Sequence, residues 1–383
     1  MALKVLHLIT SVTRGGIEKW LLSMAATIPR SQIAMNFCCK GPSVGELAPV
    51  ARALGSEIYH CPLKPTMLGY TRELLEILRR DRYDLVHNHL EAHSGLGAWI
   101  ANNSRVPVIT SFHNTYFPPG TALTERAGVR QLREAYSQVS VSYALRHSHR
   151  ITGCSNGVLE SLYGERGQIP PDARTLYYGV EIPKLPSAAQ RAAFRRELGF
   201  DKSTPLILHV GRFAEQKNHT GLLTIFERVL ERVPGARLLL VGKGPLRASI
   251  EADIARRKLG GKALILGTRD DVPQLMSLCD LFLFPSIHEG FGLVAIEANA
   301  ARLPVVGTRI AGLCEAVDEG KTGLLHALED NVGMAASVVR LLQDDVYRRQ
   351  LGKNGRERAK RRFSVQAGAR RLKEVYDESL GLR

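Results

Sequence analysis

Two α/β domains, each a doubly wound parallel sheet with crossover helices on both faces, are predicted by three observations. Short β-rich runs alternate with helical patterns from one end to the other. The chain's 383 residues exceed the roughly 250 to 300 that one hydrophobic core organises. A Pro-bearing break at 182–187 separates two such series.

The first series places strands at 5–9, 34–39, 57–60, 85–89, 108–111, 150–154 and 175–178. Between the first two, Ile17, Trp20, Leu21, Met24 and Ala25 recur at helical spacing and form an apolar stripe for the sheet. The second series places strands at 206–210, 237–241, 263–266, 281–284 and 304–307, each followed by a helical stretch. The predicted domains are therefore 1–181 and 188–363. Doubly wound sheets bind ligands outside the carboxyl ends of their strands, so chemistry is expected just after strands, in a cleft that both domains face.

Composition narrows the class. Hydrophobic residues at 44% and charged residues at 23% describe an ordered globular protein. No apolar run approaches the roughly 18 residues of a membrane span, and the opening Lys4-Val5-Leu6-His7-Leu8-Ile9 reads as a first strand rather than a signal peptide. Six cysteines without Cys-x-x-Cys spacing imply reduced thiols in a cytoplasmic protein. The net charge of +15 calls for an anionic partner, and most of the excess lies beyond residue 181, densest over 353–373. Nucleic acid lacks any supporting aromatic platform, finger spacing or heptad. A solvated basic helix face, phospholipid head groups and a diphosphate all stand as readings of that run.

The strongest chemical constellation is Glu289-Gly290-Phe291-Gly292-Leu293, running to Glu297. A strand ending at Phe284 passes through a Gly-bearing loop to a helix expected near Phe291, a geometry that seats anions on helix N–H groups. Glu297, on a helix that reads as largely buried, needs hydroxyl donors. Gly211-Arg212, with Lys217 and Asn218, follows the strand at 206–210 and brings a guanidinium fork and an ammonium to bear on one phosphate group. Gly15-Gly16-Ile17-Glu18 and Gly242-Lys243-Gly244 are further Gly loops at strand ends. Of the histidines, His87 and His89 read as a satisfied strand-end pair or as metal ligands, with Glu91 where a metal site would want Asp; His113 reads as a cleft residue.

In this order and at these spacings, the segments resemble glycosyltransferase family 4, the retaining enzymes of the GT-B fold, from Val5 to about Tyr376. Val86-His87-Asn88-His89, Ser111-Phe112-His113, Tyr178-Gly179-Val180, Leu266-Gly267, Pro304-Val305-Val306 and Gly323 also take part. The Gly-Gly-Ile-Glu-Lys-Trp opening is similar to exopolysaccharide and lipopolysaccharide glycosyltransferases. The resemblance implies two Rossmann-like domains, with a final helix at 364–380 crossing back to the first. It implies a nucleotide diphosphate sugar as donor, UDP favoured, and a saccharide or lipid-linked acceptor. Glu289 and the N–H groups of Phe291, Gly292 and Leu293 would hold sugar and phosphate, with Gly290 in the same loop. Glu297 would hold the ribose and Arg212 and Lys217 the diphosphate, with Gly211 and Gly242 also at the donor; and Leu266, Gly267 and Thr268 would flank the base. Gly15 and Gly16 would approach the donor, and His113 would lie beside the reacting sugar. Tyr116 and Phe117 are placed on the acceptor side.

The resemblance implies no metal or other cofactor, and the absence of an Asp-x-Asp from the chain agrees with this: Arg and Lys would stand in for the cation. The basic excess suggests peripheral attachment at the inner membrane face. An epimerase or phosphorylase of the same fold, or a silent sugar-binding subunit, would share the fold without the reaction.

Overall fold

The computed structural model describes residues 2–63, 66–115, 127–164 and 167–382. The chain divides into two compact units, Met1–Gly179 with Val365–Arg383, and Val180–Ser364.

The first unit is built on β1 (Leu3–Ile9), β2 (Ile33–Cys39), β3 (Ile58–His60), β4 (Leu85–Asn88), β5 (Val108–Phe112), β6 (Arg150–Gly153) and β7 (Arg174–Thr175). They form one sheet in the order β3-β2-β1-β4-β5-β6-β7, and neighbouring strands run parallel. The inner strands β1, β2, β4 and β5 are buried along nearly their whole length because helices cover both faces, while the edge strands β3 and β7 are not. Trp20, Leu21 and Met24 of the helix Gly16–Thr27 are buried as the apolar stripe requires. The final helix, Val365–Leu380, belongs to this unit and packs on Gly16–Thr27. It buries Val365, Leu372, Val375 and Tyr376, each side chain worth roughly 1.5–3 kcal/mol.

The second unit carries β8 (Leu206–Val210), β9 (Arg237–Val241), β10 (Ala263–Gly267), β11 (Leu281–Phe284), β12 (Val305–Thr308) and β13 (Gly323–His326) in the order β10-β9-β8-β11-β12-β13. The second series of the sequence therefore gains a sixth strand. Its four residues Gly-Leu-Leu-His are too short to show alternation, and Gly323 is required at its start because a Cβ there would lie 2.4 Å from the Val305 carbonyl oxygen. Ile207, Phe213, Phe226, Leu238, Leu240, Leu283 and Val338 lie in the core of this unit.

The basic run over 353–373 divides. Arg356 donates to the Ala300 carbonyl and, at 2.8 Å, to that of Pro183; Arg358 donates to Ala316 and Glu315 carbonyls at 2.6 and 2.7 Å. Ala300, Glu315 and Ala316 close the helices Leu293–Ala300 and Ala311–Ala316, where the helix dipole favours a cation, while Pro183 lies outside any helix. Lys353, Lys360, Arg361 and Arg362 are exposed. No helix among the described residues is long and apolar enough to cross a membrane.

Candidate functional site

In the second unit the strand order reverses between β8 and β11, so the segments leaving those strands run side by side. The backbone N–H of Ile287 donates to the Gln216 carbonyl at 2.8 Å, and Gln216 Nε2 donates to the His288 carbonyl at 2.9 Å. Across the join Lys217 Nζ donates to Glu289 Oε1, with only 13% and 10% of the two side chains exposed. The ammonium also lies 4.7 Å from the centroid of the Phe284 ring, a favourable cation–π position. Sequence reasoning singled out both charges but gave them separate partners; the sheet order pairs them. Gln216, which ties the two segments together, was missed.

Local structure fixes the lysine. A single 3-10 turn, Glu215–Lys217, ends at Asn218 in the left-handed region (φ 50°), and the Asn218 side chain accepts the Gly221 N–H at 3.1 Å to cap the helix His219–Arg232. Arg212 is exposed, and its guanidinium has no hydrogen bond or ion pair among the described residues.

The glycines have packing reasons. Gly242 sits at φ +149°, where a Cβ would lie 1.9 Å from the Gly211 carbonyl oxygen; a Cβ at Gly244 would lie 2.3 Å from that of Phe213. Gly242 N–H donates to Gly267 at the end of β10, where the register shifts after Ile265; Leu266 is half-buried and Thr268 exposed.

The helix after β11 begins at Leu293, two residues later than the sequence suggests. Gly292 enters it at φ +73° with no side-chain cap, so no side chain caps its leading amides, of which Ala295 N–H turns back to the Gly292 carbonyl at 2.9 Å. Phe291 is a core anchor, edge-on to Phe363 at 5.6 Å. Glu297 is half-buried rather than enclosed. Ser286 Oγ is fully buried and unpartnered among the described residues.

In the first unit the order reverses between β1 and β4. Gly15 caps Gly16–Thr27 by backbone alone, with Glu18 in the first turn, its carboxyl pushed up by burial. His7 on β1 lies opposite His87 on β4. His7 Nδ1 is hydrogen-bonded to His89 Nε2 at 3.1 Å, and His89 Nδ1 to His113 Nε2 at 3.0 Å; His113 Nδ1 is hydrogen-bonded to the Tyr178 hydroxyl. Both ring nitrogens of His113 are thus engaged within its own unit, so the imidazole offers neither to a sugar in this arrangement.

Burial holds the His7 and His113 rings down to about 3 and keeps His87 and His89 well below the ordinary histidine range. Ligand atoms of His7, His87 and His89 lie within 4.8 Å of one another, but their nitrogens bond to other rings and hydroxyls rather than converging on a point.

Glu91 carried no function in the sequence reading. It sits just beyond β4 at φ +49°, accepts the Asn114 amide at 2.7 Å, and has its carboxyl pushed up to about 7 by burial. A strained backbone at a sheet's switch point is the signal that marks it, and that strain is invisible in sequence. Tyr116 and Phe117 lie outside the described residues.

Two Rossmann-like parallel-sheet units of this kind define the GT-B fold. Anabaena HepE in complex with UDP-glucose shares it, with a TM-score of 0.81 at 21% identity over 98% of this chain and 99% of that one. The chain belongs to the group 1 glycosyltransferases, glycosyltransferase family 4. The "Glycosyl transferase 4-like domain" pattern matches residues 15–179, and the "Glycosyl transferases group 1" pattern matches residues 190–358. Relatives include the N-acetyl-alpha-D-glucosaminyl L-malate synthase of Bacillus anthracis, 25% identical over 82% of this chain and 80% of that protein. Another is the UDP-Gal:alpha-D-GlcNAc-diphosphoundecaprenol alpha-1,3-galactosyltransferase of Escherichia coli, 24% identical over 98% and 96%. The protein is a glycosyltransferase.

Proposed function

We propose that the protein transfers a hexose-type sugar from a UDP-sugar, with retention and without a metal ion, to a saccharide or lipid-linked saccharide. The carrying observation is the Lys217–Glu289 pair beside the unpartnered Arg212 at the switch point of the second unit. Lys217 and Arg212 take the diphosphate, whose negative charge grows as the glycosidic bond breaks. Glu289, already oriented by Lys217, accepts hydrogen bonds from donor-sugar hydroxyls, and the leading amides from Leu293 onward add an anion seat. Glu297 takes the ribose, and Leu266, Gly267 and Thr268 flank the base.

UDP is favoured because the HepE complex holds UDP-glucose and the Escherichia coli relative is named for UDP-Gal. In this reading Lys217 and Arg212 supply at the diphosphate the charge that Mg²⁺ gives other transferases. The lipid-linked acceptor follows the diphosphoundecaprenol in that relative's name. Exposed Lys353, Lys360, Arg361 and Arg362 support a cytoplasmic enzyme resting on anionic lipid.

Thermal shift against UDP, GDP and ADP tests the donor reading. Stabilisation by UDP in excess of the others is expected, about 2.7 kcal/mol at a hundredfold excess over the dissociation constant. Stabilisation by none of them sinks the assignment.

A further inference from the structure

The histidine contacts of the first unit continue beyond His7. Tyr376 on the final helix is the junction, its hydroxyl 3.4 Å from His7 Nε2 and 2.7 Å from His87 Nδ1. His87 Nε2 is 2.7 Å from Ser111 Oγ, which is hydrogen-bonded to Thr152 Oγ1. One unbroken line therefore joins Thr152, Ser111, His87, Tyr376, His7, His89, His113 and Tyr178, all of them buried. Strand pleating builds it: His87 and His89 are two apart, as are Ser111 and His113, so each pair faces the same side of the sheet.

A neutral imidazole has one donor and one acceptor nitrogen, and a hydroxyl has one proton to give. Such a line has only two self-consistent orders, one with every histidine protonated at Nδ1 and one with every histidine protonated at Nε2. Thr152 decides between them. Among the described residues its hydroxyl has Ser111 as its one hydrogen-bond partner, and a buried donor left without an acceptor is a costly unmade bond. Thr152 must therefore donate to Ser111, Ser111 to His87 Nε2, His87 Nδ1–H to Tyr376, and Tyr376 to His7 Nε2. His7 Nδ1–H then donates to His89, His89 Nδ1–H to His113 Nε2, and His113 Nδ1–H to Tyr178, which has Cys154 as a neighbour.

We propose that this line is a proton-ordered relay that locks His7, His87, His89 and His113 in the Nδ1–H tautomer, with Thr152 setting the direction and Tyr376 acting as a positioning residue for His113. The final helix thereby reaches His113 through its hydroxyl as well as through packing. The bearing on transfer rests on the glycosyl transfer proposed above and on the place beside the reacting sugar that the family resemblance gives His113: its ring is held neutral and in one orientation, and Nε2 has no proton to give.

Two-bond ¹H–¹⁵N correlation spectra of protein labelled with ¹⁵N-histidine test the order without any donor or acceptor present. All four rings are expected in the Nδ1–H pattern at neutral pH; an Nε2–H pattern at any of them overturns the relay. Thr152→Val is expected to release the order, so that Nε2–H signals appear; an unchanged spectrum removes Thr152 as its source. Tyr376→Phe is expected to leave His87 as Nδ1–H while His113 becomes a mixture, and an unchanged His113 removes Tyr376 from any role in positioning it. Zn²⁺ that titrates tightly into the wild type with loss of these patterns overturns the relay in favour of a metal site. UDP thermal shift on the same samples separates the two claims: a wild type blind to UDP fails the donor reading and leaves the tautomer result standing.

Discussion

Replacing Lys217 by Met removes the charge while keeping an apolar stem of similar length over the Phe284 ring. Glu289 would then be a carboxylate with about nine tenths of its side chain buried and its cation gone. Breaking one side of such a pair costs about 3–5 kcal/mol, because it leaves an uncompensated charge out of water. For a unit of this size that lowers the melting temperature by roughly 6–20 °C, at about 2–4 °C per kcal/mol. Adding Glu289→Gln to Lys217→Met removes the stranded charge, so stability should recover most of the loss, since a neutral amide costs far less to bury than an unpaired charge. Turnover should not return: the lost ammonium is expected to cost about 10²–10³ in rate at the departing diphosphate. Calorimetry on both single variants and the double variant gives the coupling energy, and UDP release from UDP-glucose gives the rate. Equal destabilisation in the Lys217 single and the double variant would refute the coupled-pair account. A Lys217 variant with normal turnover and an intact fold would refute the diphosphate role.

Gly242→Ala should weaken UDP binding and lower stability by more than about 1 kcal/mol, since it adds a Cβ that would lie 1.9 Å from the Gly211 oxygen in a left-handed conformation; wild-type values for both would show that the two loops yield freely. Sugar transfer should survive EDTA, and its loss on chelation with recovery on adding Mg²⁺ or Mn²⁺ would contradict the electrostatic reading. Stability should fall as pH drops below 6.5, because the unfolded chain protonates its histidines there while His7, His113 and His209 stay neutral down to about 3. Each ring contributes about 1.4 kcal/mol per pH unit inside that window. Glu91, raised from 4.5 to about 7, contributes with the opposite sign between those values, so a melting temperature that rises on acidification would mean the carboxyl outweighs the rings. Charge reversal at Lys360, Arg361 and Arg362, all exposed, should reduce flotation with anionic vesicles at low salt; no flotation of the wild type removes the membrane from the proposal.

Most strands were legible because a parallel sheet covered on both faces demands apolar runs, and Leu206–Val210 and Leu281–Phe284 carry them plainly. β13 was not, because its Gly-Leu-Leu-His holds only two apolar residues and makes no apolar run. The candidate residues could be picked out one by one from their places after strands. What joins them could not. The pairing of Lys217 with Glu289 depends on β8 and β11 being neighbours, which the order of strands along the chain does not state. The histidine line draws on segments as far apart as His7 and Tyr376, and only the fold brings them together. The basic run misled in the other direction, since Arg356 and Arg358 answer backbone carbonyls of their own unit. Charge counts cannot tell such an arginine from one facing solvent.

The glycines change meaning in the same way. In sequence they read as places where backbone can approach a ligand. In the structure the nearest obstacle to a side chain at Gly242 and Gly244 is the backbone of another loop, Gly211 and Phe213 respectively, and Gly312, which the sequence did not single out, meets the backbone of Glu289 and Gly290. Gly211 itself leaves room for the Lys217 stem, whose Cε would lie 3.2 Å from an added Cβ. The loops leaving β8, β9 and β11 are therefore packed against one another or their neighbours before any donor arrives. The Lys217 ammonium and the Glu289 carboxylate hang from that packed layer rather than from free loops. Pre-set charges of this kind need little reorganisation when the diphosphate leaves, which is the condition under which electrostatic stabilisation accelerates a reaction most. A glycine remote from the substrate can then govern rate through the distance between two loops.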